Sequence, residues 1–351
     1  MERKLVSIQV IKDIKPIPNA DNIELVYILG WQCVSKKGNF KVGDFCLYFE
    51  VDALLPEHPE FEFMRNKKFR VKTIKLRGML SQGLALPIDV LDKVATIEVP
   101  PGQRLLLKEG DDVSSLLNVK KYEPPESSDG ARLGGKAVSN FPPFLHKTDE
   151  IRIQSVPDVL ARHNGKAFYI TEKLDGSSMT MYLCNGKFGV CSRNFDIDEE
   201  DGNSFWEVAR KGDWETKLRT IASMLGTTNV AVQGEMVGAG VQKNKYRMTG
   251  RDIYIFNIYD INDHKFLSFA QMVDICVALD VKMVPIVTDY FEMSDMRVDD
   301  MIAMADGQSL LNDQVIREGI IFRPLAEDFD PELGRLSFKV ISNHFLLKHD
   351  E

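Results

Sequence analysis

Residues 172–176 read Glu-Lys-Leu-Asp-Gly and close the apolar run "FYIT". An ammonium on a half-buried strand is costly, so Lys173 asks for a reason. An amine that attacks an electrophile must be neutral. Moving a lysine pKa from about 10.4 to about 7.5 takes about 4 kcal/mol of differential destabilisation of the ammonium. Asp175 works against that, because a carboxylate favours the charged amine. The pair makes chemical sense if a divalent cation joins it. The bland alternative is a surface lysine before a glycine turn.

Further residues of the same kind follow in order: Ser192-Arg193-Asn194, Gly234-Glu235 in "QGEMVG", Phe256 in "IYIFNIYD", Glu318-Gly319 in "REGIIFRP", and Lys339 in "LSFKVIS". Together with Lys173 this series resembles the covalent nucleotidyltransferases, the polynucleotide ligases and mRNA capping enzymes, over some 170 residues. Each tetrapeptide alone is a weak signal, and the order is what is specific. The finer resemblance is to ATP-dependent RNA ligases, through "HKTDEIRIQSVPDVL" at 146–160 and "GAGVQKNKY" after Glu235. Residues 1–120 resemble the OB module that precedes the catalytic domain in one RNA ligase subfamily. Capping enzymes and DNA ligases carry such a barrel after the last motif. Only twelve residues follow Lys339 here, too few for a barrel.

The resemblance implies a role for each position. Lys173 would attack the α-phosphate of ATP, AMP would pass to an RNA 5′-phosphate, and a 3′-OH would displace it. Asp175, Glu235 and Glu318 would hold Mg²⁺ or Mn²⁺, directly or through its waters. Lys339 would meet the α-phosphate, Arg152 the β,γ-phosphates, and Arg193 the ribose or the RNA end. Phe256 would stack on adenine, and Glu172 would read its edge. The sequence departs from many relatives at Ser337, where they carry a second lysine. The expected substrate is RNA nicked in a duplex, and the chain is expected to act as a monomer. Competing readings are a GTP-using capping guanylyltransferase and an RNA-binding adaptor on an inactive ligase core.

The elements that must position these residues fall into two groups. Residues 1–120 alternate apolar and polar positions between short turn signals, which predicts a small OB-type β-barrel. Within them "RNKKFRVKTIKLR" carries Arg65, Lys67, Lys68, Arg70, Lys72, Lys75 and Arg77 with no acid. That is read as a basic strand tracking RNA phosphates, with Phe69, Val71, Ile74 and Leu76 facing the barrel; a guarded sheet edge is the alternative. Residues 121–145 concentrate Pro, Gly and Ser and are expected to be a linker. From 146 to 351 strands alternate with helical patterns, including "SFWEVARKGDWETKLRTIASML" and a helix capped by Ser268, so a mixed α+β adenylyltransferase domain is expected.

Bulk properties bound the rest. The chain has 351 residues, 44% hydrophobic and 27% charged, with formal net charge −8. Residues 1–120 hold 18 Lys+Arg against 16 Asp+Glu, about +2, which leaves about −10 for the remainder. No signal peptide or membrane span is expected. Five scattered cysteines without a CxxC pair point to reduced thiols, an intracellular setting and no structural zinc. Three motif-like stretches are set aside. Gly130 to Ala137 lacks the Ser/Thr of a P-loop, 196–207 has Asp201 where an EF-hand needs Gly, and Cys191 has no base beside it.

Overall fold

The computed structural model describes residues 3–95, 107–122 and 136–349. It divides into two compact units: 1–124 with 152–159 and 346–351, and 125–151 with 160–345. Residues 152–159 thus group with the first unit, although their sequence neighbours suggested the second.

The first unit is built from short antiparallel strands. Val6–Val10, Phe45–Phe49 and Leu84–Pro87 form one sheet, Asp13–Pro16, Ile23–Ile28 and Trp31–Lys36 a meander, and Thr73–Leu76 and Met79–Gln82 a hairpin. The period-two rule explains why 46–49 is buried on both faces. Leu47 and Phe49 point into a cluster with Val6, Phe61 and Leu117, while Cys46 and Tyr48 point into another with Val26 and Trp31. Ser81 Oγ accepts from the Val34 N–H at 2.9 Å, which ties the hairpin to the meander.

The basic run departs from the expected strand. Pro59–Lys67 is a 3-10 helix, started by His58, whose Nδ1 accepts the Glu60 N–H. Lys68 and Phe69 take left-handed φ of 54° and 58°. Only Thr73–Leu76 is strand, and it turns through Arg77 and Gly78 at φ 48° and 82°. Positive φ at both central residues is the hairpin turn that matches strand twist. Phe69 and Val71 are buried, Ile74 is half-buried and Leu76 is exposed, so the apolar set does not share one face.

The second unit holds two large sheets and a two-stranded pair, Phe329–Asp330 with Gly334–Arg335. The larger has seven strands in the order Ala137–Asn140, Phe195–Ile197, Lys187–Cys191, Ser177–Cys184, Val230–Gly238, Arg251–Asp260, Lys265–Phe266. Its Met179, Met181, Val232, Met236, Ile253 and Ile255 bury one face against the helices Ser204–Lys211, Trp214–Leu225 and Phe269–Ala278. Strand Ala137–Asn140 lies inside the stretch expected as linker and pairs with 195–197. Residues 123–135, including most of the P-loop-like stretch, lie outside the described residues. The single helical pattern at 204–225 is two helices, broken at Gly212 and Asp213. Ser268 caps Phe269–Ala278 through a capping box with Gln271, as its position predicts.

The other sheet sets Phe338–Ile341, Gly319–Pro324, Ala167–Lys173 and Ile286–Glu292 side by side. Among the described residues no helix is long and apolar enough to cross a membrane.

Candidate active site

Strand register brings the distant motifs together in the second unit. Lys173 pairs with Gly319, Thr171 with Ile321 and Tyr169 with Arg323 on the neighbouring strand. Gly319 pairs in turn with Ile341, and Ile321 with Lys339. Residues directly opposite each other share a face, so Lys173, Arg323 and Lys339 lie on one side of this sheet, and Ser337 comes just before the strand of Lys339. Glu172 lies on the other, with Phe322 and Phe338. In the seven-stranded sheet Ser178 pairs with Glu235 and Thr180 with Gln233, on the face opposite the helices.

Two glycines allow the close approach. A Cβ on Gly176 would meet the Met236 carbonyl, and one on Gly319 would meet the Val340 carbonyl. The Gly176 N–H donates to Glu235 Oε1 at 3.0 Å, which locks the turn after Lys173 to the Glu235 strand.

Lys173 Nζ donates to Glu318 Oε1 at 2.6 Å. Burial works to lower the lysine pKa, but Glu318, Glu235 and Asp175 outweigh it and hold the amine above its ordinary value. The carboxylates respond in kind. Burial pushes Glu235 up to about 8, with Lys173 opposing and Glu318 and Asp175 adding. Burial likewise raises Glu318, whose Oε2 is buried with no hydrogen-bond partner among the described residues. Asp175 is ion-paired with Lys245, and its N–H donates to the Tyr246 hydroxyl at 2.8 Å. The site thus sets three carboxylates among three lysines, Lys173, Lys245 and Lys339, and it is burial that leaves Glu235 and Glu318 poorly served as anions.

That donor set fits a hard divalent cation. Oxygen ligands suit Mg²⁺ or Mn²⁺, and an unsatisfied buried carboxylate oxygen is a place for a cation or its water. Among the described residues no three acidic, histidine or cysteine side chains converge as a ready-made metal cage.

The remaining expected residues have definite places. Glu172 Oε2 accepts the Leu310 N–H at 2.7 Å, and burial raises its pKa. Phe256 is half-buried against Leu174, Val237 and Tyr246, and the Arg323 guanidinium carbon lies 5.7 Å from its ring. Arg193 is exposed and contacts both Asp149 oxygens, at 2.7 and 2.9 Å. Arg152 groups with the first unit, where its guanidinium lies 5.9 Å from the Trp31 ring. In the basic run, Arg70 is bound to Asp52 at 2.7 Å and stacks 4.0 Å from Tyr122, Arg65 is bound to Glu62 at 2.6 Å, and Lys72 is half-buried. Lys67, Lys68, Lys75 and Arg77 are exposed.

Sequence reasoning missed four residues close to the site. Lys245 and Tyr246 hold Asp175; the available signal was their place at the end of "GAGVQKNKY", a stretch noted as a whole and not residue by residue. Arg323 donates to Glu150 Oε1 at 2.6 Å, and Ser337 Oγ lies 3.4 Å from the same oxygen. The alternation of "GIIFRP" and "LSFK" around Gly319 and Lys339 was the available signal for Arg323 facing Ser337.

Comparisons with known proteins agree with this arrangement. Residues 166–341 match the family model described as RNA ligase, and residues 5–88 match one described as OB-fold domain. No curated protein sequence matches the chain. Among solved structures, a Naegleria gruberi RNA ligase mutant with ATP and Mn is 36% identical with a TM-score of 0.86, covering 99% of this chain and 99% of that one. The Naegleria gruberi RNA ligase with PPi is 37% identical, with the same TM-score of 0.86 and the same 99% coverage of both chains. A third, a mutant of that ligase with AMP and Mn, is also 37% identical at TM-score 0.86 and 99% coverage of each chain. The chain belongs to the RNA ligase family, with an OB-fold domain ahead of its ligase domain.

Proposed function

We propose that the protein is an ATP-dependent RNA ligase that joins 3′-OH and 5′-phosphate ends at nicks in duplex nucleic acid. Lys173 Nζ attacks the α-phosphorus of ATP, forming a phosphoramidate and expelling pyrophosphate. The RNA 5′-phosphate then takes AMP from the lysine. The 3′-OH attacks that activated phosphate, closes the strand and releases AMP. Each step is phosphoryl transfer, in which positioning and charge neutralisation supply most of the rate.

The observation that carries the reading is the Lys173–Glu318 pair beside Glu235, with Lys173 on the sheet face of Lys339 and Glu318 just before Gly319. Glu318 Oε1 is the base within hydrogen-bond reach of the amine and is placed to accept its proton. Glu235 Oε1, held by Gly176, fixes the turn that aims Lys173. Asp175, Glu235 and Glu318 are assigned to Mg²⁺ or Mn²⁺, through water as well as directly. That ion supplies positive charge that lowers the lysine pKa and steadies the phosphates. Relatives solved with ATP and Mn, and with AMP and Mn, support the same cofactors here.

Phe256 offers a flat apolar face to adenine and Glu172 a buried acceptor to its amino group. Arg193 and Arg152 are assigned to the ribose or RNA end and to the β,γ-phosphates. Residues 1–120 are assigned to RNA binding, 121–145 to the connection and 146–351 to adenylyl transfer. Within the first unit, the exposed Lys67, Lys68, Lys75 and Arg77 are the phosphate contacts. The test is sealing of a nicked duplex carrying a 5′-phosphate, with ATP and Mn²⁺. Joined product and AMP are expected, and a chain that labels itself with AMP yet seals no nick contradicts the substrate assignment.

A further inference from the structure

We propose that Lys245 is an exchangeable counter-cation: it pairs with Asp175 until a divalent ion arrives, then turns to the phosphates of the nucleotide. This rests on the ligase reading above and adds a residue to it.

The loop after strand Val230–Gly238 takes an unusual path to deliver this lysine. Gln242, Lys243 and Asn244 carry positive φ of 42°, 59° and 49°, and Arg247 one of 57°. Side chains other than glycine rarely accept that region, and when they do it is often at functional sites. Asn244 holds the loop by donating to the Met248 carbonyl at 2.8 Å and accepting the Met248 N–H at 3.0 Å. Tyr246 is aimed at the Asp175 N–H, and Lys245 at the Asp175 carboxylate. Lys245 and Asp175 side chains are only 14% and 15% exposed. The ammonium also lies 4.5 Å from the Phe345 ring.

A largely buried ion pair gains little stability over an apolar pair, so its presence beside the nucleophile points to use. Asp175 Oδ2 meets Lys245 directly. A divalent ion, or one of its waters, competes for that carboxylate. Displacement leaves a cation two residues along from Lys173, where a triphosphate brings several negative oxygens. Ser337, just before the strand of Lys339, carries no charge, and the nearby Arg323 is already paired with Glu150, so a cation released from Asp175 has a role to fill beside Lys339.

Lys245 therefore opposes the metal when nucleotide is absent and assists the reaction when it is present. Mn²⁺ binding is measured on the nucleotide-free protein by the electron paramagnetic resonance of free Mn²⁺, and adenylylation with α-labelled ATP. Lys245→Gln is expected to bind Mn²⁺ about three- to tenfold more tightly while its labelling rate falls at least tenfold. Adding Ser337→Lys to that variant is expected to recover labelling. Lys245→Arg keeps the charge and is expected to leave Mn²⁺ affinity near that of the parent. A lysine that only braces the loop would lower both measures together. Mn²⁺ affinity unchanged or weakened in Lys245→Gln, with its melting temperature intact, overturns the proposal. Absence of labelling in the parent chain contradicts the ligase reading instead, and the Mn²⁺ titration still judges Lys245.

Discussion

Lys173 and Glu318 meet at 2.6 Å between adjacent antiparallel strands, one side chain at the end of its strand and the other just before Gly319. The contact holds the nucleophile in place and in its charged form. The amine is thus aimed before it is activated, and activation waits for positive charge to offset the surrounding carboxylates. Glu318→Gln removes both the proton acceptor and a negative charge. Its labelling rate at neutral pH is expected to fall by at least 100-fold, read as counts in the protein band. A variant that labels at the parent rate would show that Glu318 is not the base.

Nucleobase choice follows from the other face of the same strand. The Glu172 carboxyl is buried, with Oε2 accepting from the Leu310 N–H and the Ser309 hydroxyl beside it. A carboxylate oxygen accepts the amino group of adenine and repels the carbonyl of guanine. The parent is expected to label with ATP and not with GTP. Glu172→Gln presents a donor as well, so the ATP-to-GTP ratio of labelling rates should drop by about tenfold. Equal use of both nucleotides by the parent would favour a capping-type activity.

Exposure sorts the basic run of the first unit into two kinds of residue. Lys75→Glu with Arg77→Glu should weaken binding of nicked RNA and flatten its salt dependence by about one log unit per log salt for each lost phosphate contact. Arg70→Ala removes an ion pair with Asp52 and a contact with Tyr122, so it should lower the melting temperature. An unchanged salt slope in the double variant would remove this hairpin from the RNA surface.

Asp330 gives a pH test of stability within the second unit. Its carboxylate is fully buried and accepts from Arg162 at 2.9 Å, pairs with His163 at 2.9 Å and receives the Glu332 and Leu333 N–H groups. Burial opposes ionisation, yet Arg162, His163 and the two N–H groups prevail and hold the pKa well below the ordinary carboxylate value. A depressed folded-state pKa contributes stability that is present above the unfolded-state value and lost as pH falls through the folded one. Asp330→Asn should therefore cost on the order of 2 kcal/mol at pH 7, read by urea unfolding, and distinctly less only near pH 2, where the folded carboxylate itself begins to take up a proton. An equal cost at both pH values would remove the charge from the explanation.

Much of the site was legible because strand periodicity and ordered motifs are local signals. The alternation around Lys173, Gly319 and Lys339 predicted strands, and the order of motifs predicted that they would meet. Other features depend on contacts that no local pattern encodes. Lys245 reaches Asp175 only through a run of left-handed residues, and Lys and Asn at such positions look ordinary in sequence. Pro59 and the left-handed Lys68 and Phe69 turn half of the basic run out of strand, so alternation there was misleading. Residues 152–159 group with the first unit because Ser155 Oγ donates to Glu50 and the Gly30 N–H to the Gln154 carbonyl. These tertiary bonds lie far apart in the chain.

The central claim is that Lys173 becomes covalently bonded to AMP. The direct measurement is incubation with ATP labelled at the α-phosphate and Mn²⁺, followed by denaturing electrophoresis and peptide mapping. The account predicts one labelled peptide containing Lys173 and loss of label in Lys173→Ala by at least a thousandfold. Label that persists in Lys173→Ala, or maps to another residue, contradicts it.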